Sequence, residues 1–140
     1  MAFIIAISLF GISAILHEEE SSGDKGIAIK TYFNSWANKN WVAIENLLAS
    51  DFTFTSPAGD DHLSTKQFKD KCWEQSNYIK KFDFIRIIEE ANDAFVLYDL
   101  TTVSGQKVRN TEYFRFADGK IKSIEVFFGG TGKGFPTNAQ

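Results

Sequence analysis

Residues 80–128 read KKFDFIRIIEEANDAFVLYDLTTVSGQKVRNTEYFRFADGKIKSIEVFF. Four runs within this stretch, near 80–91, 94–103, 107–117 and 120–128, are rich in β-branched and aromatic residues. Asn92-Asp93, Ser104-Gly105 and Asp118-Gly119 separate them, and all three pairs are good turn formers. Connections that short join antiparallel neighbours, so the stretch predicts a four-stranded meander.

Upstream, the spacing of apolar residues changes from two to about 3.6. Asp24 can cap a helix from about Lys25 to Asn38, with Ile29, Tyr32, Phe33 and Trp36 on one stripe. Asn40 can cap a second, shorter helix that buries Trp41, Ile44, Leu47 and Leu48. Phe52-Thr53-Phe54-Thr55-Ser56 alternates as a short strand that Pro57-Ala58-Gly59 ends. Ser64 and Gln67 then fit a capping box, with Leu63 and Phe68 placed to staple it, and the third helix should run to about Asn77. The predicted fold is α+β: a curved antiparallel sheet with three N-terminal helices packed on its concave face, an arrangement that encloses a pocket.

A chain of 140 residues suits one domain, and 44% hydrophobic residues with 14 Phe give it a full core. Fifteen basic against 18 acidic residues leave a net charge of −3, which argues against nucleic acid as a partner. Ala2 to Leu16 is apolar, but its 15 residues span about 22 Å as a helix, short of a ~30 Å bilayer core. It suits a signal-peptide core without the usual basic start or cleavage site, so export and cytoplasmic retention both stay open. Membrane contact is expected only through an uncleaved leader. The domain reading is a leader and acidic linker over 1–23, a folded domain over 24–130 and a tail over 131–140.

Period two on 107–117 sets Val108, Asn110, Glu112, Phe114 and Phe116 on one face, so Glu112 shares an apolar surface and should have a raised pKa. The same reasoning turns Ser56 inward with Phe52 and Phe54. On 94–103 it places Asp99 with Phe95, Leu97, Thr101 and Val103, as a second carboxyl in a largely apolar neighbourhood. Tyr32 combines a buried ring with a hydroxyl able to donate. Asp60-Asp61-His62 reads as a polar turn, since its spacing does not suit a metal, and Cys72 as a small core residue. No metal or other cofactor is expected.

Tyr32, Trp36, the segment Phe52 to Gly59, Tyr113-Phe114-Arg115-Phe116 and the run from Lys120 to Gly129 together resemble the nuclear transport factor 2-like superfamily, in its ketosteroid isomerase and SnoaL-like branch. The resemblance implies a cone-shaped fold over roughly residues 25–130. It makes Tyr32 similar to the oxyanion tyrosine of the isomerases and Glu112 similar to their oxyanion acid, the system that serves as a standard example of a carboxylic acid kept neutral. Ser56 stands where those enzymes have an aspartate base, and a serine hydroxyl cannot take a carbon-bound proton at neutral pH without a stronger base beside it.

The expected function is therefore a pocket for a small apolar or aromatic molecule with a carbonyl or phenolate oxygen. Tyr32, Trp36, Phe54, Ser56, Glu112, Phe114 and Phe128 are its expected ligand-binding residues. If the chain catalyses, the reaction is an isomerisation or lyase step by proton abstraction, with Tyr32 and Glu112 at the oxygen and Asp99, or a loop carboxylate such as Asp60, as base. The alternative is a non-catalytic dimerisation or protein-interaction module. The resemblance also implies a homodimer through the exposed sheet face, which would cover Tyr113 and neighbouring aromatics. Sedimentation of the domain without its leader should show a dimer at micromolar concentration, and a strict monomer would refute it.

Overall fold

The computed structural model of the chain describes residues 23–128. The leader, the acidic linker and the tail from 131 thus fall outside the described residues, apart from Gly23. Ten elements follow one another: α1 (Asp24–Ala37), α2 (Trp41–Leu47), β1 (Leu48–Ser56), β2 (Asp60–Leu63), α3 (Thr65–Cys72), a 3-10 turn (Trp73–Tyr78), β3 (Ile79–Glu90), β4 (Asp93–Thr102), β5 (Lys107–Ala117) and β6 (Lys120–Phe127). The architecture is α+β, with the helices against a curved, unclosed six-stranded sheet of order β2-β1-β6-β5-β4-β3.

The meander from β3 to β6 is antiparallel throughout, as its short turns require. The sheet as a whole is mixed, which corrects the expectation of a purely antiparallel one. β1 runs parallel to β6, with Thr53 opposite Ser123 and Phe54 opposite Ile124. Parallel neighbours need a long crossover, and here α3 and the whole meander supply it. Register shifts at Phe84/Arg86 in β3 and Arg115/Phe116 in β5 are irregularities of the kind that bend strands and curve a sheet.

Further boundaries differ from the sequence reading: β1 begins at Leu48, expected on the second helix, and not at Phe52. Asp60-Asp61-His62 is not a polar turn but most of an edge strand, paired with β1 through Ser56 opposite Asp60 and Phe54 opposite Leu63. Gly59, at φ +85°, makes the reversal into it possible, and a four-residue polar strand carries no alternation to betray it. The third helix stops at Cys72 and continues as a 3-10 turn to Tyr78 instead of reaching Asn77 as one helix. At α1, Gly23 holds the cap position, and Asp24 sits in the first turn, where a negative charge complements the helix dipole. The capping box of α3 is present, with Ser64 and Gln67 each accepting from the other's backbone N–H.

The core has two aromatic centres. Phe33 on α1, 1% exposed, packs edge-on against Phe82, Phe84 and Tyr98 at ring separations of 4.7 to 5.3 Å. Phe68 on α3, also 1% exposed, stacks on Phe54 at 4.3 Å and meets Trp36, Trp41 and Phe52. The first centre fastens α1 to the meander, and the second ties α3 to β1 and the N-terminal helices. Phe68→Ala should therefore lower stability by about 3–5 kcal/mol, the usual cost of emptying a buried Phe site. A urea titration showing less than 1 kcal/mol of loss would refute this account of the second centre.

Candidate functional site

Between α1, α3 and the concave face lies a cavity of about 190 Å³. Its walls come from every layer of the fold. α1 contributes Tyr32 and Trp36, which lie four residues apart and so share one helix face. β1 contributes Phe54 and Ser56, β2 contributes Asp60, and β4 and β5 contribute Tyr98, Asn110 and Glu112. The exposed residues Ala58, Gln75 and Phe128 mark where it meets solvent.

Glu112 is buried at 6% exposure, and its Oε1 accepts a hydrogen bond of 2.6 Å from the Tyr98 hydroxyl. The other oxygen, Oε2, is buried without a hydrogen-bond partner. Burial pushes this carboxyl up to about 7, and the bond from Tyr98 opposes the rise only in part. Glu112 thus holds a proton far closer to neutral pH than a solvated glutamate does, and with Oε1 already accepting, Oε2 is where that proton can serve a ligand.

Tyr32 is 3% exposed, and burial, then the charge of Glu112, holds its phenol well above the ordinary value. It is consequently an O–H donor across the working pH range. Tyr98 is raised for the same two reasons in the same order. Cys72 also lines the cavity, and burial followed by Asp60 pushes its thiol up to about 11, which keeps it protonated and a poor nucleophile.

At the β1–β2 side, the Ser56 hydroxyl donates to Asp60 Oδ2 at 2.5 Å, and Lys71 pairs with Asp60 Oδ1. Burial works to raise the Asp60 pKa, but the bonds from Lys71 and Ser56 outweigh it and hold the carboxyl below its ordinary value. The cavity thus has a neutral-leaning acid, Glu112, on β5 and an ionised carboxylate, Asp60, on β2.

The sequence-derived candidates separate into two groups. Tyr32, Trp36, Phe54, Ser56, Glu112 and Phe128 line this cavity. Phe114 does not: it is fully buried beneath the site, with its ring 5.6 Å from that of Tyr32. Asp99 does not line it either, and its carboxylate is gripped by Arg109 through bonds of 2.8 and 3.0 Å, which hold its pKa low. Asp99 does share a face with Phe95 and Leu97, but that face is the outer one, with Phe95 exposed and Val96 and Tyr98 buried. Both faces of β4 are apolar, Phe95 and Leu97 on one and Val96 and Tyr98 on the other, so alternation cannot choose between them. Pairing with β5 does, by setting Val96 opposite Glu112 and Tyr98 opposite Asn110.

That same ambiguity hid Tyr98, the partner of Glu112. Asn110 was legible by parity with Glu112 but had no feature of its own to mark it. Asp60 was legible only as a carboxylate in a loop, because its edge strand and its pairing with Lys71 of a different element leave no pattern in the sequence.

Folding raises the Glu112 pKa from 4.5 to about 7, so between those values the native state keeps a proton that the unfolded chain has released. The contribution of this residue to stability is thus full below about pH 4.5 and is lost as pH rises through about 7, by about 3 kcal/mol in all. Glu112→Gln keeps the acceptor for Tyr98 and cannot ionise. Its stability relative to wild type should climb across this window, as measured by urea unfolding at pH 5 and pH 8. Equal differences at both values would show that Glu112 is not held in its acid form.

A family model for the SnoaL-like domain matches residues 29–124. Among curated proteins no sequence relative is found. Several solved structures are similar in fold. One is an NTF2-like protein of unknown function from Cytophaga hutchinsonii, 20% identical over 79% of this chain and 94% of that one, with a TM-score of 0.63. Another is a protein with a ketosteroid isomerase-like fold from Catenulispora acidiphila in complex with trimethylamine, 13% identical over 72% of this chain and 84% of that one, with a TM-score of 0.62. A third is TerC co-crystallised with polyporic acid, 14% identical over 76% of this chain and 92% of that one, with a TM-score of 0.66. At such identities these three speak for the fold, while the family model covers more than half of the chain. The helix order, the curved sheet and the matched domain agree, and the chain belongs to the SnoaL-like branch of the nuclear transport factor 2-like superfamily.

Proposed function

We propose that this chain is a small-molecule pocket protein of the SnoaL-like type, which binds an apolar or aromatic molecule through a carbonyl or phenolate oxygen held between Tyr32 and Glu112. The observation that carries this reading is Glu112 Oε2, a buried oxygen with no hydrogen-bond partner on the wall that Tyr32 also lines. Isolated buried polar atoms are costly, and a carboxyl that holds its proton up to about neutral pH is a donor waiting for an acceptor. The size of the space supports a modest ligand. A cavity of about 150 Å³ takes benzene, and this one, at about 190 Å³, suits one ring or two fused rings. Two structural neighbours were crystallised with small molecules, which is consistent with a ligand-holding role for this fold.

Binding is favoured over catalysis because the inherited base position is occupied by Ser56, whose proton is directed at Asp60. One observation keeps the catalytic alternative: Asp60 is itself a carboxylate on the cavity wall, and an ionised carboxylate facing a neutral acid is the arrangement of proton-transfer sites. Its ion pair with Lys71 lowers its basicity, so any isomerase or lyase activity would be slow. Asp99 has no place in that scheme.

The homodimer is proposed on the outer sheet face, where Ile88, Phe95 and Tyr113 form one cross-strand row, with Ile88 56% and Phe95 48% exposed. This dimerisation is compatible with the pocket, which opens on the opposite side of the sheet.

The ligand reading is tested with 1-indanone, whose binding should quench the fluorescence of Trp36. Tyr32→Phe should weaken binding about tenfold or more, the usual cost of losing a donor to a buried oxygen. Affinity should also fall as pH rises above about 7, where Glu112 loses the proton it would donate. Failure of this ketone and of 2-naphthol to bind would overturn the pocket reading and promote the interaction-module alternative.

A further inference from the structure

Among the described residues that line the cavity, two have a buried side-chain oxygen that no donor reaches: Asn110 at Oδ1 and Glu112 at Oε2. Glu112 Oε2 has been assigned above to the ligand oxygen. The Asn110 carbonyl is left over.

Its direction is not arbitrary. Tyr98 has one hydroxyl proton, which goes to Glu112 Oε1, so the Tyr98 oxygen can only accept from any other neighbour. Asn110 Nδ2 faces that oxygen at 3.4 Å, and turning the amide over would set oxygen against oxygen. Tyr98 thereby directs the NH2 of Asn110 to itself and leaves the carbonyl without a donor. Buried acceptors in native proteins are nearly always paired, so the missing donor is expected from whatever fills the cavity.

We infer that Asn110 is a specificity-determining residue, whose side-chain carbonyl accepts a hydrogen bond from an O–H or N–H group of the ligand. This rests on the pocket reading above and narrows it: the ligand is a small ring compound carrying both an acceptor oxygen and a donor. The two groups lie close together. Asn110 and Glu112 are two residues apart on one face of β5, about 7 Å along the strand, and both reach the same Tyr98 hydroxyl. A ligand that offered only an acceptor would leave the Asn110 carbonyl dry.

The test compares ring-hydroxylated 1-indanones with their methyl counterparts, which match them in size and lack the donor. Binding to the wild-type protein is read from Trp fluorescence. At least one hydroxyl isomer should bind about tenfold or more tightly than its methyl partner, and in Asn110→Leu that ratio should fall to within about twofold. Tyr98→Phe, which frees the amide to turn, should also lower the ratio. Equal binding of every hydroxyl and methyl pair in the wild type overturns the inference without need of any variant. Persistence of the preference in Asn110→Leu overturns it as well. If 1-indanone binds and no pair differs, this inference fails and the pocket reading stands; if no member of the set binds, both fall.

Discussion

The packing of the first helix into the hollow of a bent sheet is the constraint from which the other features follow. Phe33 makes the contact, with rings from β3, β4 and β5 around it. Its neighbour Tyr32 is carried by the same turn of helix into contact with Phe114, and Trp36 follows one turn later. Because aromatic rings prefer edge-on contacts, these pairs fix orientation as well as distance, each adding about 0.5–1.5 kcal/mol beyond the area it buries. The helix is thus held at one rotation, and the Tyr32 hydroxyl is set on the cavity wall by the same packing that stabilises the fold.

A straight helix cannot fill a concave sheet along its whole length, and the unfilled part is the cavity. What lines it is unusual for a core. A packed interior gains nothing from a carboxyl, yet β5 presents Glu112 from the middle of a strand whose other inward residues include Phe114 and Phe116. Burial there disfavours the charge, and the protein offers one hydroxyl in return. A group kept at such cost is more readily explained by what it binds than by what it stabilises. Tyr98 then acts as the organiser of the polar wall, since one hydroxyl directs both Glu112 and Asn110.

The opposite wall works by other means. Asp60 reaches the cavity from an edge strand and is kept ionised by Lys71 of α3 and by Ser56 of β1. Three elements therefore meet at one carboxylate, and the Ser56 hydroxyl is committed to it. The two carboxyls of the cavity are driven in opposite directions by their surroundings, one by desolvation and one by a cation. That contrast makes the site chemically asymmetric even though its lining is mostly aromatic.

Local patterns along the chain suffice for the elements that repeat. Turn pairs spaced along 80–128 required the antiparallel meander, the stripe through Ile29, Phe33 and Trp36 required the first helix, and Ser64 with Gln67 marked the third. Alternation on 107–117 also sufficed to turn Asn110 and Glu112 inward, because only one face of that strand is continuously apolar towards its end. Tertiary structure alone decided the rest. β4 is apolar on both faces, so its orientation, and with it the burial of Tyr98 and the exclusion of Asp99, came from its register against β5. β2 is too short and too polar to carry a period, so it exists only because β1 offers an edge, and the parallel pairing of β1 with β6 joins segments some seventy residues apart. Local patterns encode which residues can be buried together, whereas the partners of Glu112 and Asp60 lie on other strands and helices, and nothing short of the folded chain brings them there.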